Sequence, residues 1–241
     1  MLINLITNKK IQDISRAPKK IRTKNIFRIY PIDRLVELFT EKKNTLVKPS
    51  MWEDPYENPL FRKTFEAPDG TLGCNNVTKN YFAQCWSLHA QTDAMWRIYS
   101  PNKSGVKVRT TIEKLYNSLV EKAPEKERVF IGKVEYKKKE EYEESIKKTM
   151  SIGVQEPDLA RSLLIKRNEF RHEREIRLLY DHNLGIEDEI YAYEFDPLKV
   201  IDQIMFDPRL QESMVEVYEN FFKKQGFQKT IKKSELYTYK P

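Results

Sequence analysis

The chain has 241 residues, 39% hydrophobic and 12% aromatic, which is enough to bury a core and excludes general disorder. Only 7 glycines occur, with no G-x-G-x-x-G and no G-x-x-x-x-G-K-[ST], which argues against a standard dinucleotide fold or a P-loop enzyme. The net charge of +7 is concentrated: residues 1–24 hold Lys9, Lys10, Arg16, Lys19, Lys20, Arg22 and Lys24 against Asp13, and the rest of the chain is nearly neutral.

Residues 1–24 therefore read as a basic N-terminal arm, able to touch nucleic acid or to lie against the domain. Residues 25–241 read as one domain. "DRLVELFTEKK" (33–43) puts Leu35, Leu38 and Phe39 at helical spacing after Pro31. "NTLVKP" is a short strand, and the prolines of "SMWEDPYENP" (50–59) make that stretch a loop. "NYFAQCWSL" (80–88) has the aromatic, alternating character of a central strand. "TDAMWRIYS" (92–100) is a short helix with Thr92 as N-cap. A strand "GVKVRTT", a helix "TIEKLYNSLVEK", a strand "RVFIGKVEY" and a charged surface helix "KKEEYEESIKKTM" follow.

"DLARSLLIKRNEF" (158–170) reads as a helix. Strands are expected at "REIRLLY", "EIYAYEF" and "KVIDQIMF", then an amphipathic helix over 210–226 ending at a glycine cap, then a strand in "QKTIKKSELY". The irregular interleaving gives α+β: one domain whose mixed, curved sheet, or two small sheets, is flanked by helices. Cys74 and Cys85 form no metal pattern, and Cys85 reads as a buried thiol. His89, His172 and His182 lack metal-ligand spacing, so no metal is expected. No apolar run reaches the ~18 residues of a membrane span, and "MLINLITNKK" lacks the form of a signal peptide. The expected location is the cytoplasm, without membrane contact.

Four stretches carry residues suited to chemistry. "FRIYP" (27–31) offers Arg28 and Tyr30, and "WEDPYE" (52–57) offers Asp54 and Glu57 on a proline-fixed, aromatic-framed loop. Trp86, Ser87, Trp96 and Tyr99 surround a strand-to-helix turn; the tryptophans read first as core and second as ligand contacts. "FRHEREIRLLY" (170–180) carries Glu173 and Glu175. As a helix it would be a solvated face with a Glu173–Arg177 pair. As a strand it would place Glu173, Glu175 and Arg177 on one face.

Together "WEDPYE", "CWSLHAQTDAMWRIYSPNKSG" (85–105) and "KRNEFRHEREIR" (166–177), with a closing "IKKSELY", resemble the bacterial domain-of-unknown-function family 2971 over residues 25–238. Glu53 stands where that pattern has asparagine, and Phe170 where it has tryptophan. Members resemble proteins found near phage-defence and toxin genes. That resemblance implies a bacterial toxin or anti-phage, abortive-infection effector, with a partner protein of the same system.

The order Arg28/Tyr30, then Trp86-Ser87 with Tyr99, then Glu173-x-Glu175 is also similar to that of ADP-ribosyltransferases. This second resemblance implies an NAD-using enzyme of that fold, with a macromolecule or nucleotide as acceptor. Glu175 would be the main catalytic residue and Glu173 its accessory. Arg28, Tyr30, Asp54, Glu57, Trp86, Ser87, Trp96, Tyr99, Lys166 and Arg177 would surround NAD, with Arg177 a fixed counter-charge.

Two alternatives stand beside this reading. A metal-dependent nuclease would use Asp54, Glu57, Glu173 and Glu175 as Mg²⁺ ligands. A non-catalytic sensor or binding module would pair Asp54 or Glu57 with Arg177 and Glu173 with Lys166 in saturated ion pairs, without a deep pocket.

Overall fold

The computed structural model describes residues 6–7, 17–57, 64–66, 72–74, 80–125, 127–151, 158–182 and 187–239. Lys9, Lys10 and Arg16 of the basic arm lie outside them. The strands are β1 (Ile6–Thr7), β2 (Asn25–Pro31), β3 (Lys43–Val47), β4 (Thr64–Glu66), β5 (Leu72–Cys74), β6 (Tyr81–Ser87) and β7 (Gly105–Thr111). They continue with β8 (Arg128–Lys133), β9 (Glu135–Lys137), β10 (Ile165–Arg167), β11 (Glu175–Asp181), β12 (Ile190–Glu194), β13 (Gln203–Phe206) and β14 (Thr230–Lys233). The helices are α1 (Lys19–Arg22), α2 (Ile32–Glu41), α3 (Asp93–Tyr99), α4 (Ile112–Val120), α5 (Lys139–Ser151), α6 (Asp158–Ser162), α7 (Pro197–Val200) and α8 (Glu212–Lys224).

The fold is α+β. One mixed, mostly antiparallel sheet runs in the order β1-β8-β11-β6-β2-β7-β13-β14, with β3 and β12 branching from β6. The parallel pair β13–β14 makes it mixed. Two short two-stranded pairs, β9–β10 and β4–β5, lie apart. Among the described residues, no helix is long and apolar enough to cross a membrane.

Strand alternation sorts the two faces of the sheet. On one face Ile26, Tyr30, Phe82, Trp86, Val106, Val108, Ile176, Leu178 and Tyr180 meet the apolar sides of α2, α4 and α8 in the main core. Ala17 is buried in that core, and Ile21 of α1 packs against it. On the other face Tyr81, Ala83, Phe130 and Leu179 pack on Leu159, Leu163 and Leu164, with Trp52 against them. Further along that second face come Cys85, Arg177, Ser87 and Glu175, in register across β6 and β11.

The sheet splits beside these residues. β6 pairs with β11 along its whole length, from Ser87–Glu175 to Tyr81–Asp181. On its other edge it meets β2 only at Phe27–Ser87 and β3 only at Val47–Ala83. Side chains replace the missing ladder, as buried backbone groups require. Arg28 Nη1 donates to the Cys85 carbonyl at 2.5 Å. Gln84 Nε2 donates to the Thr45 carbonyl at 3.0 Å and to Asn44 Oδ1 at 2.8 Å.

The expected helix over 158–170 is not continuous. It stops at Ser162, and Ile165–Arg167 pair in parallel with β9. Leu163 and Leu164 point into the second core, so burial overrides helical spacing there. The expected strand over 228–237 is confined to Thr230–Lys233.

Candidate active site

A cavity of 740 Å³ opens on the second face. Its walls come from β2, β6, the loop through Trp52–Glu57, α3, and the segment Lys166–Glu175. The volume lies within the range of small-molecule sites.

The tight turn before β11 shapes one wall. A 3-10 turn covers Asn168–Glu173, and Arg174 takes the left-handed conformation at φ 45°. That is uncommon for a residue with a Cβ and must be held by its surroundings. Ser87 Oγ donates to the Glu173 carbonyl at 2.7 Å, and Leu88 N donates to the Arg174 carbonyl at 2.9 Å. The strand therefore starts at Glu175, so Glu173 is brought beside it by the kink and not by strand alternation.

Five buried charges meet at this wall. Lys166 Nζ lies 2.5 Å from Glu173 Oε2, 2.9 Å from Glu57 Oε1 and 3.4 Å from Glu175 Oε2. Arg177 clasps Glu175 and also donates to Glu57. Arg177 is wholly buried, and its guanidinium lies 4.2 Å from the ring centroid of Trp52. Three carboxylates thus share two cations, a formal charge of −1. Burial works against ionised Glu175, but Arg177 and Lys166 outweigh it and hold its carboxyl down at about 2. Burial also opposes the Lys166 ammonium, yet Glu175, Glu57 and Glu173 raise its pKa above the ordinary lysine value. Burial, then Glu175, pushes the Cys85 thiol up.

Aromatic groups frame the cluster. Arg167 pairs with Asp54 at 3.1 Å and sits 4.4 Å from the Tyr56 ring centroid. Lys166 lies 4.6 Å from that of Phe170. Tyr99, half-exposed at the mouth, donates its hydroxyl to Glu173 Oε1 at 2.7 Å. Burial and the neighbouring Glu173 push that hydroxyl's pKa up, so it is a donor. Thr92 caps α3 by accepting from Met95 N. Ser100, just past α3, donates to Asp207 Oδ2 at 2.6 Å and accepts from Gly105 N at 2.8 Å.

Ten of the residues singled out from sequence line this cavity: Arg28, Asp54, Glu57, Trp86, Ser87, Trp96, Tyr99, Lys166, Glu173 and Glu175. Two do not. Tyr30 faces the main core, its ring edge-on to Trp86, on the same side of β2 as Ile26. Arg177 is sealed beneath the wall, so it serves the acids and not a ligand. Ser87 lines the cavity but spends its hydroxyl on the turn. Asp54 also accepts from Tyr56 N at 3.0 Å, the local turn bond expected of an aspartate before proline.

Lys107 was not among those residues. It lines the cavity from β7, is 4% exposed, and lies 5.5 Å and 5.4 Å from the ring centroids of Phe27 and Trp96. Its ammonium donates to the Ala90 carbonyl. Burial, then Lys232, brings its pKa down to about 8. The signal lay in "GVKVRTT", where Lys107 stands between Val106 and Val108 in a strand.

Among the described residues, no set of three His, Cys, Asp or Glu is arranged to hold a metal ion. Lys166 and Arg177 stand between the acids that a magnesium site would need.

A family model described as "Protein of unknown function (DUF2971)" matches residues 95–178, the span that holds Trp96, Tyr99, Lys166, Glu173, Glu175 and Arg177. The loop 52–57 lies outside that span. No curated protein matches the chain in sequence. Among solved structures, DarT of Thermus sp. 2.9 in complex with NAD+ has 13% identity and a TM-score of 0.41, covering 92% of this chain and 99% of that one. The same protein in complex with ADP-ribosylated ssDNA has 12% identity and a TM-score of 0.41, with 90% and 97% covered. Its complex with carba-NAD+ has 13% identity and a TM-score of 0.40, with 92% and 100% covered.

Proposed function

We propose that the chain is an NAD-consuming, ADP-ribosyltransferase-like enzyme whose reaction is centred on Glu175. The observation that carries this reading is the surplus carboxylate. Three buried acids share two cations at the wall of an aromatic-lined cavity, so the wall favours a positive charge developing in the cavity.

The chemistry follows from that charge. The bond between the nicotinamide nitrogen and ribose C1 breaks, and its electron pair leaves with nicotinamide. C1 then gains oxocarbenium character, as in glycoside cleavage. Glu175, held ionised, stabilises it. Its contact with Lys166 is its longest, at 3.4 Å, and a ribose hydroxyl competes for that position. An acceptor oxygen or nitrogen bonds to C1 and loses its proton to Glu173, whose oxygens keep lone pairs beyond the bonds from Tyr99 and Lys166. Arg28 at the split edge of the sheet would face the dinucleotide, and Trp86 and Trp96 would flank it.

The acceptor is a macromolecule or nucleotide in this reading. Lys19, Lys20 and Lys24, exposed near α1, offer nucleic acid a contact, whereas Arg22 is engaged with Glu113. A toxin or anti-phage effector acting in the cytoplasm with a partner protein is the setting in which such NAD consumption would serve.

The second reading is a binding module, favoured by the complete pairing of the acids. The discriminating experiment incubates purified protein with labelled NAD and a chelator, with and without cell extract as a source of acceptor. Nicotinamide release supports the transferase. Absence of both release and NAD binding by calorimetry supports the binding module.

A further inference from the structure

The proposed reaction uses the acidic wall of the cavity and leaves a cation on another wall without a task. Lys107 reaches the cavity from β7, on the strand next to Arg28. Its ammonium sits between the rings of Phe27 and Trp96, and its hydrogen-bond acceptor among the described residues is a backbone carbonyl, that of Ala90. The other buried lysine of the cavity, Lys166, lies within ion-pairing distance of three carboxylates. Lys107 forms no ion pair with any described residue.

Burying an ammonium without a counter-ion is costly. A lysine has three donors, and one carbonyl leaves two of them unused. A structural role would be met better by methionine, which fills the same slot between two rings without a charge. The like charge of Lys232 on β14 adds to the cost. Arg28 is similarly placed: its Nη1 meets the Cys85 carbonyl, its guanidinium lies 5.0 Å from the Tyr30 ring, and its buried Nε lacks a hydrogen-bond partner. The cavity therefore has an acidic wall at Glu173 and Glu175 and a basic wall at Lys107 and Arg28.

We infer that Lys107 is the core of a phosphate-binding subsite in this cavity, which takes the pyrophosphate of the bound dinucleotide. This rests on the NAD reading for the identity of the ligand but not for the existence of the anion site. The aromatic rings beside the ammonium exclude water and strengthen its attraction to a phosphate oxygen. The depressed pKa is consistent with a site whose counter-ion arrives with the ligand.

The test is calorimetry with inorganic pyrophosphate and with NAD, at pH 7, on the full chain and on Lys107→Met. Thermal unfolding checks the variant, which should fold at least as stably as the wild type because a buried charge has been removed. Lys107→Arg restores the charge. The expected result is binding of pyrophosphate and NAD by the wild type, weakened about 10- to 100-fold in Lys107→Met and recovered at least in part in Lys107→Arg. Wild-type binding of pyrophosphate that depends on Lys107, with no binding of NAD, would sustain the anion subsite and remove the NAD reading. Equal affinities in wild type and Lys107→Met would overturn the subsite and leave the NAD reading standing. Binding of neither ligand by the wild type would overturn both.

Discussion

Arg177 Nε lies 2.8 Å from Glu175 Oε1, and Arg177 Nη2 lies 3.0 Å from Glu175 Oε2, a two-point clasp between residues two apart on one strand. The same guanidinium reaches Glu57 on the loop and donates from Nη1 to the Leu163 carbonyl at 2.6 Å. One side chain thereby fixes the start of β11, the acidic loop and the end of α6. Removing it leaves three buried carboxylates with one cation, Lys166. Arg177→Met should cost about 3–5 kcal/mol, the usual loss when one partner of a buried pair is taken away. Urea unfolding checks this, and Arg177→Lys should lose less because a charge remains.

Acid should weaken the protein through Glu175. Its carboxyl is held at about 2 in the folded chain, against an ordinary value of 4.5. A depressed carboxylate contributes stability that is fully present above about pH 4.5 and is lost as pH falls towards 2. The size is about 3 kcal/mol by the pKa-to-energy conversion. Asp181 and Glu127 act in the opposite direction, since burial raises both. The informative quantity is therefore the difference between wild type and Glu175→Gln. The wild type should lose more stability than the variant between pH 5 and 3. Parallel curves would show that Glu175 does not carry the acid sensitivity.

Gly105 ties the mouth of the cavity to the sheet. A Cβ there would lie 2.6 Å from Ser100 Cβ, too close to keep, and a tight 3.1 Å from Ile29 Cγ2. Ser100 follows α3 directly and anchors it to Asp207. Gly105→Ala should destabilise by about 1–3 kcal/mol, the common cost of overpacking. It should also lower activity by displacing Tyr99 from Glu173. A thermal melt and nicotinamide release measured on the same variant test both parts.

Much of the fold was legible because local pattern and tertiary need agree in most elements. Leu35, Leu38 and Phe39 at helical spacing give the buried side of α2, and Thr92 caps α3 as its position implies. The kink at Arg174 was not legible. Nothing in "HERE" marks a left-handed residue, since glycine is absent and the conformation is imposed by Ser87 and Leu88 from another strand. The break after Ser162 was hidden for a similar reason: the pairing of Ile165–Arg167 with β9 is a long-range choice. Charge pairing was legible in kind but not in extent. Lys166 and Arg177 are obvious partners for acids, but only the folded chain brings Glu57 to both. Lys107 was not legible as a site residue because a lysine in a strand is ordinarily turned to water.

In the proposed reaction the wall at Glu175 stabilises a developing positive charge on ribose. The most direct measurement is the rate of nicotinamide release from saturating NAD by wild type and by Glu175→Gln, each checked by thermal unfolding. The expected result is release by the wild type and a fall of about 100-fold or more in the variant, with NAD affinity changed much less. Release by a folded Glu175→Gln at the wild-type rate would contradict it.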